Sequence, residues 1–144
     1  MRVVRSVRST SSAPRGSKVT PPKDAVTFTG HVSEEEKNML FSRAWVQALP
    51  SLKEGWGLVI VEAGMHQTPT VAFHSAGGVQ ESIVDGETGF LVEDNHEFTE
   101  RLRELLEDHA LRERMGTNAE RHARTFTWEA SQEAFATVAS RHLR

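Results

Sequence analysis

Apolar residues in this chain gather in short runs separated by polar or periodic stretches. Residues 26–29 (VTFT) are a β-prone run closed by Gly30. Ser33 and Glu36 have the spacing of a capping box, each side chain serving the other's backbone amide. A helix is therefore predicted to about Arg43, with Met39 and Leu40 among its inward-facing residues. Residues 45–49 read as a second strand stopped by Pro50, residues 51–57 as a loop, and the mostly apolar stretch 58–66 as a buried helix. A third strand follows at 70–73. Then come a glycine turn through Ser75, Ala76, Gly77 and Gly78, a short helix at 79–84, a turn at Asp85 and Gly86, and a fourth strand at 89–92.

The remaining chain is helical in pattern. Phe98, Leu102, Leu105 and Leu106 fall at i, i+4, i+7 and i+8, one helix face. Leu111, Met115 and Ala119 mark a second helix, broken near Thr125, Phe126 and Thr127; Trp128, Phe135, Val138 and Ala139 mark a third. All three stripes are expected to be core. Strands alternating with helices at this spacing imply βαβ units and a parallel sheet, hence an α/β fold. Right-handed crossovers put the loops that follow the strands on one edge, where such sheets bind ligands. The loops to inspect are 30–33, 50–57, 74–78 and 93–96.

Length and composition narrow the choices. A chain of 144 residues suits one compact domain and is too short for two full domains of this type. Arg2, Arg5, Arg8, Arg15, Lys18 and Lys23 make residues 1–23 basic without a single acid, so the net charge of -3 conceals an acidic body. That body argues against nucleic acid as the main partner. The basic stretch is rich in Ser, Thr and Pro and reads as a disordered tail, with some features of a transit peptide. Order is expected from Asp24. There is no cysteine, and the histidines lack ligand spacing, so no metal site is expected. No apolar run is long enough to span a bilayer, nothing indicates association with a membrane surface, and no secretory signal is evident, so a cytoplasmic location is expected.

The chemistry concentrates in PSLKEGWGLVIVE, from Pro50 to Glu62. A glycine-flanked loop between a strand and a helix presents free amides and the positive end of a dipole, a ready phosphate site. Glu62 is an acid in an otherwise apolar helix and needs a donor. A sugar diol would supply one; so would a neighbouring loop, or a Lys or Arg. Trp56 either stacks on a ligand or anchors the loop. Lys53 either touches phosphate or is solvated. His31 either lines a base pocket or is an exposed loop residue, and Glu81 is expected to face solvent or cap. Gly77 and Gly78 either shape the ligand crevice or make a structural turn, whereas Asp85, Gly86, Thr88 and Gly89 read as turn chemistry.

EGWGLVIVE resembles the E-x7-E motif of retaining, nucleotide-sugar-dependent glycosyltransferases of the GT-B fold, family-4 type. The flanking segments VTFTGHVSEEEKNMLFSRA, TPTVAFHSAGGVQESIVDGETGFLV and RERMGTNAERHARTFTWEA agree in order and spacing, so the resemblance covers residues 24–140. It implies a Rossmann-like parallel sheet with flanking helices, forming part of the C-terminal, nucleotide-sugar-binding domain of a GT-B fold, over residues 24–144. It also implies roles. Glu54 orients the donor sugar, the amides of Gly55, Trp56, Gly57 and Leu58 meet sugar and diphosphate, and Glu62 binds the ribose. Attack would come on the leaving-group face, with the diphosphate itself as candidate base. No cofactor is implied, and metal is dispensable where dipoles and basic side chains stabilise the leaving group.

Two departures qualify the match. Gln67 stands where the family has glycine, which would cost about 1 kcal/mol if a left-handed conformation is kept. The family's acceptor-binding domain, and the basic loop that opens its donor domain, have no counterpart in residues 1–23. The expectation is a donor-binding part with an exposed sheet edge and little transferase activity alone toward its sugar, lipid or small-molecule acceptor. The alternative is a non-catalytic nucleotide-binding module that pairs with a separate acceptor-binding chain. The family's terminal helix crosses to the N-terminal domain, so Trp128 and Phe135 would then be partly uncovered. A related two-domain nucleotide-binding protein such as an epimerase fits the EGWGL loop less well.

Overall fold

The computed structural model describes residues 3–4 and 26–142. Strand β1 (Val3–Val4) pairs antiparallel with β2 (Val26–Thr27). Helix α1 (Glu34–Arg43) leads to β3 (Gln47–Leu49), α2 (Leu58–Gly64) and β4 (Thr70–Phe73). A single 3-10 turn (His74–Ala76) and α3 (Val79–Ser82) precede β5 (Gly89–Val92). Helices α4 (Asn95–Glu107), α5 (His109–Ala123) and α6 (Trp128–His142) complete the chain.

β3, β4 and β5 form a three-stranded parallel sheet in that order. All four residues of β4 are buried, so both faces of the central strand are covered by helices. Phe73 stacks on Phe98 of α4 at 5.0 Å, and Leu105 of the same helix is fully buried. Ile60, Val79, Ile83, Leu111 and Met115 complete the core around the sheet. The buried hydroxyls are bonded: Thr70 Oγ1 donates to Gln47 Oε1 at 2.6 Å, and Thr68 Oγ1 to the Phe41 carbonyl at 2.9 Å.

Local signals were realised closely. Ser33 Oγ accepts from the Glu36 amide at 3.2 Å, and Glu36 returns the bond to the Ser33 amide at 3.1 Å. Asp94 and Asp108 cap α4 and α5, each accepting one first-turn amide, from Glu97 and Leu111. Gly86 is left-handed, and Asp85 Oδ1 accepts from the Leu91 amide at 2.9 Å, a purely structural turn.

Four expectations need correction. The run at 26–29 does not join the parallel sheet; its first two residues pair with β1, and Phe28 is exposed. Val3 and Val4 lie within the stretch expected to be a basic tail; the rest of that stretch is outside the described residues. On α1 the buried residue is Phe41, while Met39 is exposed, because α1 touches the molecule mainly through its last turn and Lys37. The α6 stripe is not core, and the two residues that the resemblance implied would be uncovered are so: Trp128 is 81% and Phe135 75% exposed.

Gln67 adopts the left-handed conformation, with φ 58°. Its carboxamide donates to Glu120 Oε2 at 2.7 Å, and Arg124 and Gln67 together hold the Glu120 carboxyl below its ordinary pKa. Gln67→Gly is expected to leave stability within about 0.5 kcal/mol of the unaltered chain. Relief of about 1 kcal/mol of strain is offset by the greater freedom of the unfolded chain and the loss of one exposed hydrogen bond. Urea denaturation at neutral pH checks this; a midpoint lowered beyond that range would show that the Glu120 contact matters more than the strain.

Candidate functional site

The loop between β3 and α2 is set by backbone contacts with the loop that follows β4. The Glu54 amide donates to the Ala76 carbonyl at 2.6 Å, and Glu54 pairs with Gly77 in a parallel bridge. Two of the four loops after strands thus meet at the carboxyl end of the sheet. Gly77 has φ 98°, and a β-carbon there would lie 2.9 Å from the Glu54 carbonyl oxygen. A β-carbon on Gly78 would lie 1.8 Å from the Gly55 carbonyl oxygen, an impossible contact. The glycine pair is therefore the bed on which the EGWG loop rests.

Gly57 is left-handed at φ 78° and begins α2, where the amides of Leu58 and Val59 have no intrahelical acceptor. Gly55 differs from its neighbours. It has no positive φ, is exposed, and a β-carbon on it would meet nothing within 4 Å. The chain's own packing does not require glycine there, and the space above it is open.

Trp56 anchors the loop. Its indole N–H donates to Glu81 Oε2 at 2.8 Å, and its carbonyl accepts from the Ser82 hydroxyl. Its ring meets Phe126 edge-on at 4.7 Å, and His122 meets Phe126 at 4.9 Å. Glu81, expected in solvent or as a cap, instead holds the indole. Leu58 is 63% exposed rather than buried and lines an open cleft with Trp56, Val61, Phe126 and Trp128.

Glu62 lies on α2 with its side chain 29% exposed and is paired with Lys37 of α1, Nζ to Oε1 2.8 Å. Of the donors open to it on sequence grounds, a lysine is the one present. Lys37 also bonds Glu34, and Glu34 first and Glu62 second hold its ammonium above the ordinary lysine pKa. The Glu54 side chain is half-buried in the loop. His31 and Lys53 are exposed and form no ion pair among the described residues.

Residues 17–122 match the sequence model of glycosyl transferases group 1. The chain belongs to that family. It is 40% identical over 117 residues to D-inositol 3-phosphate glycosyltransferase of Streptomyces avermitilis, covering 80% of this chain and 25% of that protein. The chain thus spans about a quarter of the length of such curated relatives. Sucrose-phosphate synthase of Thermosynechococcus elongatus superposes with a TM-score of 0.73 and 31% identity, over 83% of this chain and 30% of that one. Anabaena Alr3699/HepE, solved with UDP and glucose, superposes with a TM-score of 0.71 and 27% identity, over 82% and 33%. The three-stranded parallel sheet with flanking helices is therefore part of a GT-B architecture.

In this member of the family, the sequence marks the loop but not its supports. Glu81, Ser82 and Phe126 lie far along the chain from Trp56, and no local period links them. The one available signal was the EGWG and AGG pair of glycine-rich loops, each too glycine-dense for a simple turn. Among the described residues no three His, Asp or Glu side chains cluster to hold a metal, and no helix is long and apolar enough to cross a membrane.

Proposed function

We propose that this chain binds a nucleotide-diphosphate sugar at the EGWG loop, as the donor-binding part of a retaining, family-4-type glycosyltransferase. The observation that carries the reading is Gly55: an exposed glycine that internal packing does not demand, on a loop held from beneath by Gly77 and Gly78. A glycine kept without internal cause fits close approach of an external ligand. Beside it stand the unpaired first-turn amides of α2, suited to the diphosphate. Family membership, and a structural neighbour solved with UDP-glucose, support a nucleotide sugar as donor.

On this reading Glu54 holds hydroxyls of the donor sugar. The amides of Gly55, Trp56, Gly57 and Leu58 meet sugar and diphosphate, and Glu62 takes the ribose hydroxyls. The acceptor is a sugar, lipid or small molecule whose placement calls for a separate acceptor-binding domain or chain, so transfer by these residues alone is slow. The chemistry needs no cofactor and no metal, and its setting is the cytoplasm. A second reading, a nucleotide-binding module that pairs with a separate acceptor-binding chain, is favoured by the exposed Trp128 and Phe135 of α6.

Calorimetric titration with UDP, GDP and ADP tests the proposal. One nucleotide is expected to bind. Glu62→Ala should weaken it by roughly ten- to a hundredfold, the loss of a charge-assisted hydrogen bond. Gly55→Ala should also weaken binding while leaving the melting temperature unchanged, because its β-carbon meets only open space. Undiminished binding by both variants would place the site elsewhere.

A further inference from the structure

We propose that Lys37 is a positioning residue for nucleotide recognition: it clamps one oxygen of Glu62 so that the carboxylate is presented in a fixed pose to the ribose hydroxyls. The inference rests on the reading of Glu62 as the ribose acceptor and names a residue of a different helix that acts through it.

Lys37 projects from α1 toward α2, and its side chain is 16% exposed. Its ammonium lies 2.8 Å from Glu62 Oε1 and 2.8 Å from Glu34 Oε2. Glu34 is itself exposed and holds the ammonium from the solvent side. Glu62 Oε1 is therefore committed, while Oε2 has no hydrogen-bond partner among the described residues. One oxygen anchored and one free is the state in which a carboxylate can accept from a diol without first losing rotamer freedom.

The clamp is only as good as the helix that carries it, and α1 is well fixed. Its start is locked by the Ser33–Glu36 box. Its end is tied to the chain after α2, where Thr68 Oγ1 donates to the Phe41 carbonyl and His66 lies 3.3 Å from Asn38 Oδ1. Charge adds a second effect. A bare carboxylate beside a diphosphate would repel it; a cation shared with Glu62 offsets that repulsion. An ion pair this close to solvent contributes little to folding. Loss of Lys37 is therefore read in binding rather than in stability.

The test compares the chain with Lys37→Met, Lys37→Arg and Glu62→Gln. Each is titrated by calorimetry with UDP and with a dideoxyribose analogue of UDP that lacks both ribose hydroxyls, and each is melted. The unaltered chain should prefer UDP by about tenfold or more. Lys37→Met should shrink the preference to within about threefold with little change in melting temperature, and Lys37→Arg should restore most of it. If Lys37→Met keeps the full preference while Glu62→Gln loses it, the Lys37 proposal is overturned and the reading of Glu62 stands. If Glu62→Gln keeps the preference, Glu62 is not the ribose acceptor and both fall. Failure of the folded chain to bind UDP, GDP or ADP at millimolar concentration overturns the donor-site reading on which both depend.

Discussion

Gly78→Ala is expected to destabilise the chain by about 3 kcal/mol and to abolish nucleotide binding. The added β-carbon would sit 1.8 Å from the Gly55 carbonyl oxygen, 2.8 Å from the Gly55 carbonyl carbon and 2.9 Å from the Trp56 α-carbon. All three are backbone atoms, so no side-chain rotation relieves the contact. Either α3 or the EGWG loop must move. α3 is tied to the loop through the Trp56–Glu81 and Ser82–Trp56 bonds, so the displacement spreads along both. Gly86→Ala is the control. Gly86 is left-handed at φ 74° but has nothing within 4 Å of a β-carbon, so only conformational strain of about 1 kcal/mol is expected, with binding retained. Urea denaturation with a parallel UDP titration separates the two. Equal stability losses in the two variants would mean that the loops do not pack as described.

Gly116→Ala is the second large effect, about 2 kcal/mol of destabilisation without any contact to the donor loop. In a helix interior alanine is normally better than glycine by about 1 kcal/mol, so helix propensity alone has the opposite sign. The tertiary contact overrides it. A β-carbon on Gly116 would lie 2.2 Å from the Gln67 carbonyl oxygen and 3.0 Å from its carbon. Nearby, a β-carbon on Gly64 would meet the Ala119 carbonyl oxygen at 3.1 Å, so α2 and α5 approach almost backbone to backbone. Separating them loosens Met115 and Ala119 from the core. A melting temperature raised by Gly116→Ala would mean that propensity wins and that the helices are further apart than described.

These glycines show where a reading by sequence reaches its limit. Gly57 and Gly86 were legible as loop and turn residues because the local chain demands a left-handed conformation. Gly78 was legible as a turn residue, but its necessity, like that of Gly116, was not, because it comes from atoms of Gly55 and Gln67, remote in sequence. At Gln67 the resemblance, through the glycine the family has there, left open a strained left-handed residue or a shifted helix end, and the structure keeps the left-handed conformation. Trp56 stood between two uses until the Glu81 carboxylate and the Phe126 ring were found around it. Glu62 was recognised as an acid that must find a donor, but the donor, Lys37, sits on another helix, and only packing of α1 against α2 brings it within 2.8 Å.

By itself the sequence determined the helices, the strands of the parallel sheet, the Ser33–Glu36 capping box, the α/β class and the position of the glycine-rich loop between β3 and α2. All of these follow from spacing within a few residues, where backbone sterics and hydrogen-bonding periods act directly. The tertiary structure alone decided that β2 stands apart from the parallel sheet, and that the EGWG loop is bedded on Gly77 and Gly78 and pinned through Trp56. Those outcomes depend on which surfaces find one another. An apolar stripe or a two-residue strand carries the same local pattern whether or not a partner covers it.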